Sequence, residues 1–236
     1  MLDLKLGDAF KLIKDVKDNT IDLILTDPPY DKQNYMQRLT DMQKKEMTKQ
    51  FWRVLKPTGN IAIFCGYIDQ FTWHKLMTKH GFKFRRQLVW VYRNPSFGKL
   101  RITHQARTFI MAHETILLFD KGDHHYFDNS KVVEVSWFEH PAYSGLRRSA
   151  EGNPQEKMGV TPKPLKIARV LIKRLCPKHG TVLDPFMGYG TFGIASHQLE
   201  RNYIGFEIRP EIYEIAWKRV NKFKNKKIDS YTLNRS

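Results

Sequence analysis

The sequence predicts an α/β fold built on a largely parallel sheet with helices on both faces. Short apolar runs alternate with segments of helical spacing along most of the chain. The run from Ile21 to Thr26 is almost wholly apolar, as a strand buried on both faces is. Apolar runs also end on acids, at Asp8, Asp27, Asp184 and Glu207, and the carboxyl edge of such a sheet is where ligands bind.

Taken in order, Leu2 to Leu6 reads as a strand closed by Gly7-Asp8, and Ala9 to Val16 has the spacing of a helix. The strand Ile21 to Thr26 stops at Asp27-Pro28-Pro29. Met42 to Leu55 is helical, with Met47, Phe51, Val54 and Leu55 on one side. Lys56-Pro57-Thr58-Gly59 turns the chain into a strand at Asn60 to Cys65. A helix at Ile68 to His80 and strands at Gln87 to Tyr92 and Glu114 to Phe119 follow. Residues 121–160 are rich in His, Tyr, Trp, Ser, Gly and Pro and read as irregular. The last third alternates again. It has a helix at Pro164 to Leu175, a strand at Thr181 to Asp184, a helix at Thr191 to Leu199, a strand at Tyr203 to Glu207 and a helix at Pro210 to Val220. A basic tail, Lys222 to Lys227, comes after them.

The 236 residues suffice for one well-buried domain, and 41% hydrophobic content excludes a wholly disordered chain. Forty Lys and Arg against 24 Asp and Glu give a formal charge of +16, which suits a phosphate-bearing partner. The excess is clustered. No acid occurs between Asp69 and Glu114, a window that holds Lys75, Lys79, Lys83, Arg85, Arg86, Arg93, Lys99, Arg101 and Arg107. Cys65 and Cys176 have no CxxC partner, and no histidine has metal-ligand spacing, so neither a disulfide framework nor a metal site is expected. No signal peptide is evident and no apolar run approaches a membrane span, so a soluble cytoplasmic protein is expected.

Two segments carry chemistry. Val182-Leu183-Asp184-Pro185-Phe186-Met187-Gly188-Tyr189-Gly190-Thr191 is a strand opening through a glycine turn into a helix, and the next strand ends at Glu207. Glycines let a backbone approach a ligand, and an acid at the next strand end can accept hydrogen bonds from ribose hydroxyls. The turn lacks GxGxxG and no Lys-Ser/Thr pair follows it. A nucleoside-bearing ligand without phosphates therefore fits better than NAD or a triphosphate. In Thr26-Asp27-Pro28-Pro29-Tyr30, consecutive prolines remove two N–H donors and leave a carboxylate, carbonyls and an aromatic plate together. An exocyclic amino group on a base needs such acceptors, because its lone pair is delocalised into the ring. Hydrogen bonds to the Asp27 carboxylate and the Pro28 carbonyl would localise that pair for attack on a sulfonium methyl, with Tyr30 stacked on the base. The plainer reading is a strand-ending turn, since Asp-Pro and Pro-Pro are common turn formers.

Together and in this order, Asp27-Pro28-Pro29-Tyr30 and the segment Asp184 to Thr191 resemble the β group of amino DNA methyltransferases, over most of the chain. The resemblance implies a Rossmann-like fold with a mostly parallel seven-stranded sheet and circularly permuted motif order. It implies S-adenosyl-L-methionine as cofactor, held by Asp8, Ala9, Asp27, Thr161, Lys163, Asp184, Phe186, Gly188, Gly190, Thr191, Glu207 and Ile208. Asp27, Pro28, Pro29 and Tyr30 would be catalytic, and Asp in the first position favours adenine N6 over cytosine N4. Thr161-Pro162-Lys163-Pro164 is similar to the family's segment His-Pro-Thr-Gln-Lys-Pro, with Gly159, Val160 and Pro162 departing from it. Tyr189 stands where the family has a small residue.

As implied by the resemblance, one methyltransferase domain spans 1–236, with a target-recognition insertion at about 93–160. The partner is double-stranded DNA, from which the target base is flipped. Arg93, Asn94, Lys99, Arg101, His104, Arg107, Arg147 and Arg148 are the DNA-binding candidates, and the loop Asp31 to Arg38 is a candidate for closing over the base. The shortness of the recognition segment leads us to expect a homodimer, and a restriction endonuclease of the same system enters as a further partner. The competing readings are a cytosine-N4 enzyme, a methyltransferase of RNA or of protein glutamine, and a DNA-binding relative without catalysis.

Overall fold

The computed structural model describes residues 1–29, 38–92, 112–130, 136–140 and 162–224. The strands are β1 (Leu2–Leu6), β2 (Ile21–Thr26), β3 (Leu55–Cys65), β4 (Lys83–Val91), β5 (His113–Asp120), β6 (Trp137–Glu139), β7 (Thr181–Asp184) and β8 (Asn202–Glu207). They form one sheet in the order β1-β8-β7-β2-β3-β5-β4-β6. β1, β8, β7, β2 and β3 are mutually parallel, β5 runs antiparallel between β3 and β4, and β6 lies parallel to β4. The predicted, largely parallel sheet is therefore present, with an eighth strand beyond the seven expected. β6 falls in the region read as irregular, because three residues, Trp-Phe-Glu, are too few to show a period. Its pairing instead comes from long-range bonds, such as Val89 N–H to the Ser136 carbonyl at 3.0 Å and His140 N–H to the Val91 carbonyl at 3.1 Å.

The helices are α1 (Ala9–Leu12, continued by a 3-10 turn at Ile13–Asp15), α2 (Asp41–Val54), α3 (Asp69–His80), α4 (Leu165–Leu175), α5 (Thr191–Gln198) and α6 (Pro210–Lys224). They divide into two layers. Met47, Phe51 and Val54 of α2, with Trp73 and Met77 of α3, bury one face of the sheet against Ile24, Ile61, Ile63 and Leu183. On the other face, Leu171 and Ile172 of α4, Ile194 of α5 and Ala216 of α6 pack on Leu23, Leu25, Ala62 and Val182. β2 shows why the run reads as continuously apolar: Leu23 and Leu25 face one layer and Ile24 the other.

Local chemistry sets the boundaries. A capping box starts α2: the Gln43 backbone N–H donates to Thr40 Oγ1 at 3.2 Å, and the Thr40 backbone N–H donates to Gln43 Oε1 at 2.9 Å. Gly81, at φ 110°, ends α3 in the left-handed region. Leu55 leaves α2 and pairs with Ile21 of β2, after which the register shifts so that Leu23 faces Asn60. β4 begins four residues earlier than its apolar pattern suggests, because its exposed first half pairs with β5. No helix among the described residues is long and apolar enough to cross a membrane.

Candidate active site

The sheet order places β1, β8, β7 and β2 side by side and parallel, so their carboxyl ends form one rim. Asp8 follows β1, Glu207 ends β8, Asp184 ends β7 and Asp27 follows β2. The four acids therefore stand in a row in the order Asp8, Glu207, Asp184, Asp27. At about 4.8 Å per strand the row is roughly 14 Å long, which suits an extended nucleoside-bearing ligand.

At the first end, Gly7 N–H donates to the Glu207 carbonyl at 2.8 Å and ties β1 to β8 beyond their ladder. Asp8 caps α1, accepting the Phe10 N–H at 2.9 Å, and Ala9 is the buried first residue of that helix. Glu207 binds the glycine turn directly: one oxygen accepts the Gly188 N–H at 3.1 Å and the other the Arg209 N–H at 3.0 Å. Burial raises its carboxyl above the ordinary range, against the pull of those N–H groups. Ile208, next along, is 58% exposed and presents an apolar surface beside the acid.

Asp184 does a different job. Its carboxylate is buried and accepts the Phe186 N–H at 3.2 Å and the Tyr203 hydroxyl at 3.1 Å. Burial holds its carboxyl well above the ordinary range. At 1% exposure, and bonded to Phe186 and Tyr203, Asp184 braces the turn from within. The turn itself has Gly188 at φ 50° and Gly190 at φ 75°, and Gly190 caps α5 just before the buried Thr191. A Cβ on Gly190 would lie 2.9 Å from Val220 Cγ2 of α6, and L side chains disfavour that φ. Gly190→Ala is expected to cost about 2 kcal/mol and to lower the thermal midpoint by about 5 °C in a scanning calorimeter. Tyr189 is buried, and its carbonyl accepts from the Arg219 guanidinium.

At the other end, Asp27 leaves β2 beside Pro28 and Pro29, and the Pro29 carbonyl accepts the Leu39 N–H at 3.3 Å. Lys163 is 5% exposed and inserts its ammonium between two carboxylates, 2.9 Å from Asp27 Oδ2 and 2.9 Å from Glu114 Oε2. It also lies 5.5 Å from the Phe64 ring centre and 6.0 Å from that of Trp90. The second Glu114 oxygen accepts the Tyr92 hydroxyl at 2.7 Å. Asp27 Oδ1 is shielded from solvent and has no hydrogen-bond partner among the described residues. Burial pushes the Asp27 carboxyl up to about 6, with Lys163 pulling it down and Glu114 pushing it further up. Burial opposes the Lys163 charge, but the two carboxylates outweigh it and hold the ammonium above its ordinary range.

The expected residues divide accordingly. Asp8, Ala9, Asp184, Phe186, Gly188, Gly190, Thr191, Glu207 and Ile208 gather at the rim of β1, β8 and β7. Lys163, expected among the cofactor contacts, meets Asp27 of the segment expected to be catalytic. Tyr30, Thr161 and all eight DNA-binding candidates (Arg93, Asn94, Lys99, Arg101, His104, Arg107, Arg147, Arg148) lie outside the described residues, as does the loop 31–37. Sequence reasoning missed Glu114 and Tyr92. It also missed Asp69, which is buried and binds the Lys44 ammonium at 2.5 Å and Arg38 Nε at 2.8 Å. That cluster fastens Arg38, just past the catalytic segment, to α2 and α3. The acid-free window is also split. Lys83 pairs with Asp123 and Arg85 with Asp120 at the edge of the sheet opposite the rim. By contrast Tyr92, Ala112, His140 and Pro162, which flank the segments 93–111 and 141–161, adjoin strand ends or residues on the rim side.

With that geometry in hand, comparison with known proteins gives one family. The profile of the DNA methylase family, covering N6 and N4 methyltransferases, matches residues 21–218. The type II methyltransferase M2.LlaDCHI of Lactococcus lactis subsp. cremoris is 26% identical over 92% of this chain and 88% of its own length. The type II methyltransferase M.HpaI of Haemophilus parainfluenzae is 29% identical over 91% of this chain and 73% of its own. Among solved structures, the M1.HpyAVI–SAM complex superposes with a TM-score of 0.74, at 28% identity, over 94% of this chain and 100% of that one.

Proposed function

We propose, from the premise that the chain belongs to the DNA methylase family of N6 and N4 methyltransferases, that it methylates adenine N6 in duplex DNA. The observation that carries methylation of an amino group is Asp27 Oδ1, which has no hydrogen-bond partner among the described residues, and Asp in the first position of the segment favours adenine over cytosine. A partly buried carboxylate held on one side by Lys163 leaves the shielded Oδ1 without a partner among the described residues, at the end of a rim that suits a nucleoside.

The residues present fit S-adenosyl-L-methionine. Acids at Asp8 and Glu207 suit amino and ribose donors, the exposed Ile208 suits the flat face of an adenine ring, and Asp184 to Thr191 contains no Lys or Arg for a phosphate. When bound, this cofactor supplies a methyl group made electrophilic by its sulfonium centre. Asp8, Glu207, Ile208 and the glycine turn would hold it. Asp27 then acts on the base: Oδ1 accepts a hydrogen bond from the exocyclic amino group and draws its lone pair out of the ring. The prolines keep backbone N–H donors away from the site, so acceptors dominate there. Tyr30 would stack on the flipped base, since a paired amino group is out of reach inside a duplex. The segment at about 93–160 would read the target sequence, and the flanking Tyr92 and Pro162 lie on the rim side.

The test is to incubate duplex DNA with methyl-labelled cofactor and map the modified bases. N6-methyladenine at one sequence is the expected product. N4-methylcytosine would move the assignment to the other base of the family. Label in RNA or protein, with none in DNA, would overturn the reading.

A further inference from the structure

Beside Asp27 lies a chain of polar groups, the buried Lys163 and the half-buried Glu114 and Tyr92, joined at 2.9 and 2.7 Å, of which the reaction as described above uses only the Lys163 contact. They come from three separate parts of the fold. Glu114 sits in β5 opposite Trp90 of β4, Tyr92 follows β4, and Lys163 precedes α4. Lys163 is also unusually constrained for a lysine. It stands between Pro162 and Pro164, which limits the backbone on both sides, and its ammonium lies over the Phe64 and Trp90 rings.

We propose that Lys163 and Glu114 are positioning residues: Glu114 fixes the Lys163 ammonium, and the ammonium claims Oδ2 of Asp27 so that Oδ1 is turned to the target amino group. This rests on the proposed function of Asp27. A lone Lys163–Asp27 pair would leave the ammonium free to swing on its long stem. The second carboxylate at equal distance, itself held by the Tyr92 hydroxyl, removes that freedom. Ammonium and carboxylate then work in opposite directions on Asp27, since one favours its ionised form and the other opposes it.

That opposition gives a signature no merely structural contact would produce. Asp27 must be ionised to accept the amino hydrogen, so activity rises with pH through its titration near 6. The groups around it are Lys163, Glu114, Tyr92, Cys65 at the end of β3 and Asp184 on β7. Burial raises both the Tyr92 hydroxyl and the Cys65 thiol, away from the acid range. Asp184 takes its hydrogen bonds from Phe186 and Tyr203, not from Lys163 or Glu114.

The experiment follows single-turnover methyl transfer to duplex DNA from pH 5 to 9, alongside calorimetric binding of S-adenosylhomocysteine. Lys163→Met is expected to slow transfer about a hundredfold and to move the acid limb up by about one pH unit. Glu114→Gln, which keeps size and shape, is expected to move the limb down, and it keeps the test readable if Lys163→Met does not fold. Limbs that stay in place in the folded variants would overturn the inference. So would a Lys163→Met protein with normal transfer at saturation and weakened binding of S-adenosylhomocysteine, since Lys163 would then be a cofactor contact. Wild type that methylates DNA together with an inactive Asp27→Ala upholds the parent reading separately. No transfer by wild type would overturn both.

Discussion

Asp27→Ala is expected to slow methyl transfer about a thousandfold while leaving the fold and the binding of S-adenosylhomocysteine within a few-fold of wild type. The magnitude is that of removing a preorganised polar group from a site closed to water. The carboxylate is partly buried, and Oδ1 has no competing partner among the described residues, so its whole capacity is available to the substrate. The fold should tolerate the change because the Lys163 ammonium keeps Glu114 at 2.9 Å. Single-turnover kinetics with saturating DNA and cofactor measure the effect directly. A variant within tenfold of wild type would remove Asp27 from the chemistry.

Asp69→Ala is expected to destabilise the protein by about 3–5 kcal/mol, the cost of stranding a buried charge. The Lys44 side chain is 1% exposed, as is that of Asp69, and the two meet at 2.5 Å. Asp41, the other acid near Lys44, lies 3.7 Å away and is largely exposed, so it replaces little of what is lost. Urea unfolding monitored by circular dichroism gives the number. The double variant Lys44→Met, Asp69→Leu should recover most of the stability, because breaking such a pair costs more than replacing it with apolar groups. It should not recover full activity. Asp69 also holds Arg38, and losing that contact frees the chain at Arg38, eight residues after Tyr30.

Asp27 and Asp69 are unequally legible in the sequence. Asp27 stands out, because an apolar strand runs straight into it and two prolines follow, although a strand-ending turn has the same pattern and only the glycine turn downstream favours a site. The glycine turn and Glu207 are legible for the same reason: each sits at a strand end, and strand ends of a parallel sheet converge on one edge whatever their order along the chain. Asp69 looks only like an acid in the first turn of a helix, a common and weakly stabilising arrangement. Its partners are 25 and 31 residues upstream, and no local pattern links them. Glu114 is hidden in the same way. It reads as the polar first residues of a framework strand, and only the antiparallel pairing of β5 with β3 and β4 carries it to Asp27. The one available hint was that it ends a long stretch without acids. Lys163 was legible as important through the resemblance, but its neighbours were not, since they come from β2 and β5.

The placement of Tyr92, Ala112, His140 and Pro162 has a consequence for how such a protein diversifies. These four flanking residues lie on the rim side, and the ladder bonds of the eight strands are made by residues outside the segments 93–111 and 141–161. Lengthening a loop whose ends stay fixed adds only about 0.6 kcal/mol per doubling. If those segments read the DNA as proposed, recombination or insertion can exchange them while the row of acids stays in register, and a new sequence preference can arise in a lineage without the methyl-transfer step being reinvented.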